Sequence, residues 1–179
     1  MMALDKIYHA AFALKDVARK TDLIDASTLF GTGGHVFLKT ENLQVTGSFK
    51  LRGAYYKISQ LTDEQKRAGI IACSAGNHAQ GVALAATESG IKSVICMPDG
   101  APISKVEATK RLGAEVVLVQ GTYDDAYAHA LALQAETGAT FIHPFDDEAV
   151  IAGQGTIGLE ILEQLSDVDA VVVPIGGGG

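Results

Sequence analysis

The sequence predicts an α/β fold built on a parallel sheet, and three observations carry that reading. Short apolar runs (Ile70 to Cys73, Ser93 to Met97, Glu115 to Val119, Thr140 to His143) alternate with longer helical segments. The helical segments close on Gly90, Gly113 and Gly138, residues that take the left-handed turn of a helix end without a Cβ penalty. The runs themselves lack a polar alternate face, so both of their faces are buried. Strands of that kind, joined by helices, lie parallel and are covered on both sides.

In chain order, residues from about Asp5 to Arg19 repeat Ile7, Ala11, Leu14 and Ala18 on one helical face. Leu23 to Ser27 reads as extended, and Gly31-Thr32-Gly33-Gly34 as a turn before a strand from His35 to Lys39. Thr46-Gly47-Ser48 is a bend with Ser48 as N-cap of a helix whose stripe runs through Phe49, Gly53 and Tyr56, widened by Ala54, Ile58 and Leu61. Thr62 to Gln65 is a capping-box pattern opening a short helix. The alternating region contributes helices from Asn77 to Ser89, Ser104 to Leu112 and Thr122 to Thr137. After His143-Pro144 the pattern changes to a long helix from Asp146 to Leu165, interrupted by Gly153 and Gly155. Ala170 to Ile175 then reads as a buried strand running into Gly176-Gly177-Gly178-Gly179. A buried parallel strand calls for a helix returning across the sheet, so the chain reads as truncated there.

The composition bounds what such a fold can do. A length of 179 residues suits one domain, or a domain and part of another, and 47% hydrophobic content supports a substantial core. The net charge of −7 and the absence of a Lys/Arg run argue against a nucleic-acid partner. Cys73 and Cys96 lie inside apolar runs and read as buried free thiols in a reducing compartment, with no metal-ligand spacing. The N-terminal stretch mixes acids and bases without an apolar signal core, and no run approaches the roughly 20 residues of a membrane span. The reading is a cytoplasmic protein with no membrane partner.

Three stretches carry chemistry. In Ser48-Phe49-Lys50 the lysine falls in the first turn of a helix, at the positive end of its dipole. That placement, with partial burial, favours the neutral amine that attacks carbonyls, as Schiff-base chemistry requires. The plain alternative is a solvated lysine. Ser74-Ala75-Gly76-Asn77-His78 joins a strand to a helix, where backbone amides around Gly76 offer an anion site and Ser74, Asn77 and His78 add polar groups. The plain alternative there is Asn77 acting only as an N-cap. In Gly176 to Gly179 consecutive amides can converge on a phosphate, unless the glycines are simply a flexible tail. Gly153-Gln154-Gly155-Thr156-Ile157-Gly158 fits a dinucleotide fingerprint, but no strand immediately precedes it and close helix packing is the better reading. His9, His35, His129 and His143 show no metal or triad spacing, and Asp146-Asp147-Glu148 reads as a solvated helix start.

Taken together and in this order, the three stretches resemble fold-type II pyridoxal phosphate enzymes, in particular the threonine dehydratase (threonine ammonia-lyase) and serine racemase family, over its N-terminal part. The resemblance covers about Val36 to Gly179. It implies two parallel-sheet α/β domains of the tryptophan synthase β-like type, the larger one truncated. Residues 1–52 and 146–179 would belong to the larger domain and residues 53–145 would form the smaller. By resemblance Lys50 would hold pyridoxal 5′-phosphate covalently and act as catalytic base, and Phe49 would pack on its ring. Asn77 would bond the ring hydroxyl and Gly176, Gly177, Gly178 and Gly179 would hold the phosphate. Ser74, Ala75, Gly76, Asn77 and His78 would cradle the substrate carboxylate. The implied reaction is β-elimination of threonine, and of serine, to a 2-oxo acid and ammonia, with a homo-oligomer as the complete form. Racemases of the family carry a serine at the position of Ala75, and alanine cannot do acid–base work. This favours elimination over the alternative of a racemase. A further alternative is an inactive cofactor-binding fragment.

Overall fold

Where an apolar run has a neighbour to pair with, it becomes a strand at the predicted place. The structure, a computed structural model, describes residues 2–31 and 33–176. It opens with helix α1 (Leu4–Ala13), then strands β1 (Leu23–Asp25) and β2 (Phe37–Lys39) around a single helical turn, α2 (Ser27–Phe30). A 3-10 turn at Glu41–Leu43 leads to α3 (Lys50–Ser59) and α4 (Asp63–Ala68). The alternating region follows as β3 (Ile70–Cys73), α5 (Asn77–Glu88), β4 (Ser93–Pro98), α6 (Ile103–Arg111), β5 (Glu115–Val119), α7 (Tyr123–Thr137) and β6 (Thr140–Phe141). Helix α8 (Glu148–Gln164) comes last.

β3 to β6 form one four-stranded sheet in the order β5-β4-β3-β6, parallel throughout, and β1 pairs with β2 antiparallel. Alternate residues of β3 feed two separate cores. Ile70 and Ala72 join Ile95 and Met97 of β4 against α5, while Ile71 and Cys73 join Cys96 against Ala126 and Ala130 of α7. Both cysteines are buried free thiols, as predicted. The chain steps outward from β3 through β4 to β5, then returns by α7 on the opposite face to place β6 on the other side of β3. The carboxyl ends of β3 and β6 therefore flank the point where strand order reverses, which is where open α/β sheets bind ligands.

The Thr62 capping box and the Gly138 helix end form as read, and the structure adds further caps. Thr62 and Gln65 form a reciprocal capping box, Thr122 and Asp125 form another, and Gly138 caps α7 in the left-handed conformation. Asp147 caps α8 by accepting from the amides of Ala149 and Val150. Helix α1 is shorter than the periodicity suggests, ending at Ala13. Leu14 still fills the core, but Arg19 is locked to Gln44 by two hydrogen bonds, 2.7 and 2.8 Å, and that tertiary contact turns the chain early.

α3 is clamped between α5 and α8 at backbone contact distance. A Cβ on Gly81 would meet the carbonyl carbon of Lys50 at 2.9 Å, and one on Gly153 would meet Gly53 Cα at 2.6 Å. Gly155 packs on the side chain of Ile7 in α1, where a Cβ would come within 3.1 Å of Cδ1. Of the glycines that mimic a dinucleotide fingerprint, Gly153 and Gly155 are thus helix-packing residues inside α8, while Gly158 is exposed. The 52/53 boundary falls within α3, whose residues pack on both sides of that division.

One predicted element is corrected. Ala170 to Ile175 is neither a strand nor buried, and Val172 is 94% and Ile175 78% exposed. Among the described residues no strand runs beside it, and Pro174 has no N–H to give to a ladder. An apolar run without a partner strand stays irregular. The expected phosphate loop falls largely on Gly177 to Gly179, outside the described residues, and only Gly176 is described, as a bend.

Candidate active site

The site is built from three segments that the topology brings to the reversal point: the start of α3, the β3–α5 connection and the exit of β6. Lys50 is the first residue of α3, as predicted, but the cap residue is Phe49 rather than Ser48. Ser48 Oγ accepts from the Lys50 amide at 3.4 Å, a long contact that leaves the helix start without a true side-chain cap. The Lys50 side chain crosses to the β6 exit and donates from Nζ to the Pro144 carbonyl oxygen at 2.5 Å. Its Nζ lies 5.4 Å from the centroid of the Phe49 ring. Among the described residues no carboxylate pairs with it, and burial pushes its pKa below the ordinary lysine value. The lowered pKa brings the neutral form within easier reach, and in that form an amine giving one N–H to a carbonyl keeps its lone pair free for a carbonyl carbon or a proton.

In the β3–α5 connection Ser74, Ala75 and Gly76 are half-buried and Asn77 is exposed. Gly76 is the cap residue of α5, with no side chain bonded to the free amides of the first turn, so Asn77 is not serving as an N-cap. Ser74 Oγ accepts from the Gly76 amide at 3.2 Å and shapes the turn. No atom would crowd a Cβ on Gly76, so a ligand can approach the backbone there. These uncapped amides at the positive end of a twelve-residue helix suit an anion.

His78 faces the other way. Its ring is 3% exposed, and Nε2 bonds the Ile142 carbonyl oxygen at 2.9 Å. A carbonyl only accepts, so Nε2 carries the proton and Nδ1 is a lone pair, buried and without a partner. Burial drives its pKa down to about 4, with the nearby Lys50 and His143 acting in the same direction. The imidazole is neutral and belongs to the wall behind the site.

Sequence reasoning missed the charged cluster beneath Lys50. Arg52 is 1% exposed, and its guanidinium donates to Glu41 at 2.9 and 2.8 Å and to Glu160 at 2.6 and 3.0 Å. It also reaches Thr156 Oγ1 at 3.1 Å and the Arg19 carbonyl at 3.2 Å. Lys39 adds a second cation, bonded to Glu160 at 2.6 Å. Burial alone would lower the arginine pKa and raise that of Glu41, but these hydrogen bonds prevail and hold both ionised. The available signal was an arginine inside an apolar stripe and a glutamate inside an apolar helix. Nothing in the local sequence pairs them.

A lysine amine at the carboxyl end of a parallel sheet, with an open helix N-terminus beside it, defines an α/β enzyme that works through an amine and an anionic partner. The family model described as "Pyridoxal-phosphate dependent enzyme" matches residues 14–179, and the chain belongs to that family. It is 56% identical over 180 residues to the L-threonine ammonia-lyase of Thermotoga maritima, an alignment spanning 100% of this chain and 45% of that protein. Among solved structures it superposes on maize serine racemase with a TM-score of 0.95 at 38% identity, covering 99% of this chain and 55% of the other. It also superposes on the processed form of threonine deaminase isoform 2 from Solanum lycopersicum, with a TM-score of 0.91 at 43% identity and coverages of 98% and 50%. The chain spans about half the length of the curated relatives it matches. The residues present fit the cofactor: an unpaired amine of lowered pKa suits its aldehyde, and uncapped helix amides with open space at Gly76 suit an anionic group.

Proposed function

We propose that the protein acts as an L-threonine ammonia-lyase, eliminating the β-hydroxyl of threonine, and of serine, to give a 2-oxo acid and ammonia. The observation that carries this is the unpaired Lys50 amine held at the strand-order reversal by the Pro144 carbonyl. When bound, pyridoxal phosphate supplies the electron sink that stabilises negative charge at the substrate α-carbon. Lys50 would hold the cofactor covalently, and its Nζ in the neutral form would serve as general base for the substrate α-proton. Phe49 supports the ring, Asn77 bonds its hydroxyl, and Gly176 to Gly179 hold the phosphate. The amides opening α5, the backbone N–H groups of Asn77 and His78 among them, together with Ser74, Ala75 and Gly76 of the preceding turn, bind the substrate carboxylate.

The relatives' names support threonine as substrate. The likeness to serine racemase keeps racemisation as a second reading. Ala75 speaks against it, because its methyl group has no proton to exchange on the face opposite Lys50. In the same reading residues 53–145 form the smaller domain, residues 1–52 and 146–179 the larger, and the protein is a cytoplasmic homo-oligomer. Among the described residues no helix is long and apolar enough to cross a membrane.

Replacing Lys50 by alanine tests the core of the proposal. Turnover of threonine should fall by about a thousandfold or more, and borohydride should no longer fix cofactor to the protein. Retention of ordinary turnover would remove Lys50 from the chemistry.

A further inference from the structure

The exit of β6 is held from two sides. Ile142 O takes the imidazole of His78, and two residues on Pro144 O takes the amine of Lys50. His78 and Gly81 are three residues apart on α5, so they share a helix face, and at Gly81 that face touches the Lys50 backbone. One face of α5 therefore locates both the main chain of the lysine and the strand exit that receives its side chain.

We propose that His78 is a positioning residue for Lys50, fixing the 142–144 segment so that the Pro144 carbonyl captures the amine and aims its lone pair at an incoming aldehyde. This rests on the reading of Lys50 as the cofactor-binding lysine. A purely space-filling role does not explain the residue. An apolar side chain would occupy the same buried volume without stranding Nδ1, which has no partner among the described residues. The single bond from Nε2 to Ile142 O is what the imidazole contributes, and it is a bond to the segment that holds Lys50. Two anchors two residues apart also leave that segment little freedom to carry its carbonyl away. This role differs from direct contact with substrate: the ring is buried, and its one hydrogen bond goes to Ile142 O.

The test uses pyridoxal 5′-phosphate itself as the probe, trapped on the protein with borohydride and read as the mass of the Lys50 peptide over time. Glutamine at position 78 can extend its amide N–H to Ile142 O, whereas asparagine is one methylene too short. His78→Gln should mark Lys50 at close to the wild-type rate. His78→Asn should be slower by about tenfold, the factor expected for one lost hydrogen bond. Far-ultraviolet circular dichroism identifies variants that fold, and His78→Leu, predicted slow for the same reason, decides the matter if the asparagine variant does not. Equal rates for the glutamine variant and the folded short-armed or apolar variant would overturn the positioning role while leaving the lysine assignment intact. If wild-type protein itself takes the mark elsewhere than Lys50, both readings fall together.

Discussion

Lys50 and Arg52 are two cations on the same helix, two residues apart, and the fold treats them in opposite ways. Arg52 is sunk among Glu41, Glu160 and Thr156, and its charge is matched and satisfied. Lys50 is only half-buried, yet among the described residues it is offered an aromatic ring and a carbonyl and no carboxylate. The difference lies in the partners and not in the depth. A paired guanidinium stays charged and ties α3 to the Glu41 turn and to α8, while burial without a paired carboxylate lets the amine give up its proton more readily. One helix thus supplies an anchor and, in the function proposed, a nucleophile.

Breaking the anchor should have the largest effect. Arg52→Met leaves Glu41 with only the Thr21 hydroxyl and Glu160 with only Lys39, in a site where both carboxylates are mostly buried, at a cost of about 3 kcal/mol. Urea unfolding measures this, and a loss below about 1 kcal/mol would mean that the cluster relaxes into water. Acid should act next, through the neutral wall behind Lys50. With a folded-state pKa of about 4 against an ordinary 6.5, His78 binds its proton in the unfolded chain first as the pH falls. Stability is therefore whole above pH 6.5 and drains away towards pH 4, by up to about 3 kcal/mol from this residue. Comparing the pH dependence of unfolding for wild type and His78→Gln isolates that share; parallel curves would show that the ring titrates normally. The smallest effect should come from Lys50 itself. Without a paired charge to lose, Lys50→Ala should shift unfolding by no more than about 1 kcal/mol, while abolishing covalent cofactor binding. A shift as large as that of Arg52→Met would erase the contrast.

Much of the fold was legible because its determinants are local. Strands β3 and β5 match their predicted bounds, since apolar runs between a capped helix and a glycine leave little room for another reading. Lys50 and the Ser74 to Asn77 turn were legible because helix starts announce themselves in sequence. What stayed hidden depends on residues far apart in the chain. Arg52 meets Glu160 across 108 positions, Lys50 meets Pro144 across 94, and His78 turns inward to Ile142 across 64. No periodicity encodes such pairs. Val171, Val172 and Val173 show the converse, with a strand's composition but no neighbour to pair with among the described residues.

The glycine crossings of α3 with α5 and α8 bear on timescale. Helices in contact through their main chains have no interposed side chains to repack, so sliding one past another has no low-cost route. The base of Lys50 is in effect a fixed post, and the amine explores space only through the rotamers of its own four methylenes, on picoseconds to nanoseconds. Any slower reshaping of the site falls to the connecting segments at Ser74 to Gly76 and Ile142 to Asp146. The reach of the lysine and the gating of the site are thereby assigned to different clocks.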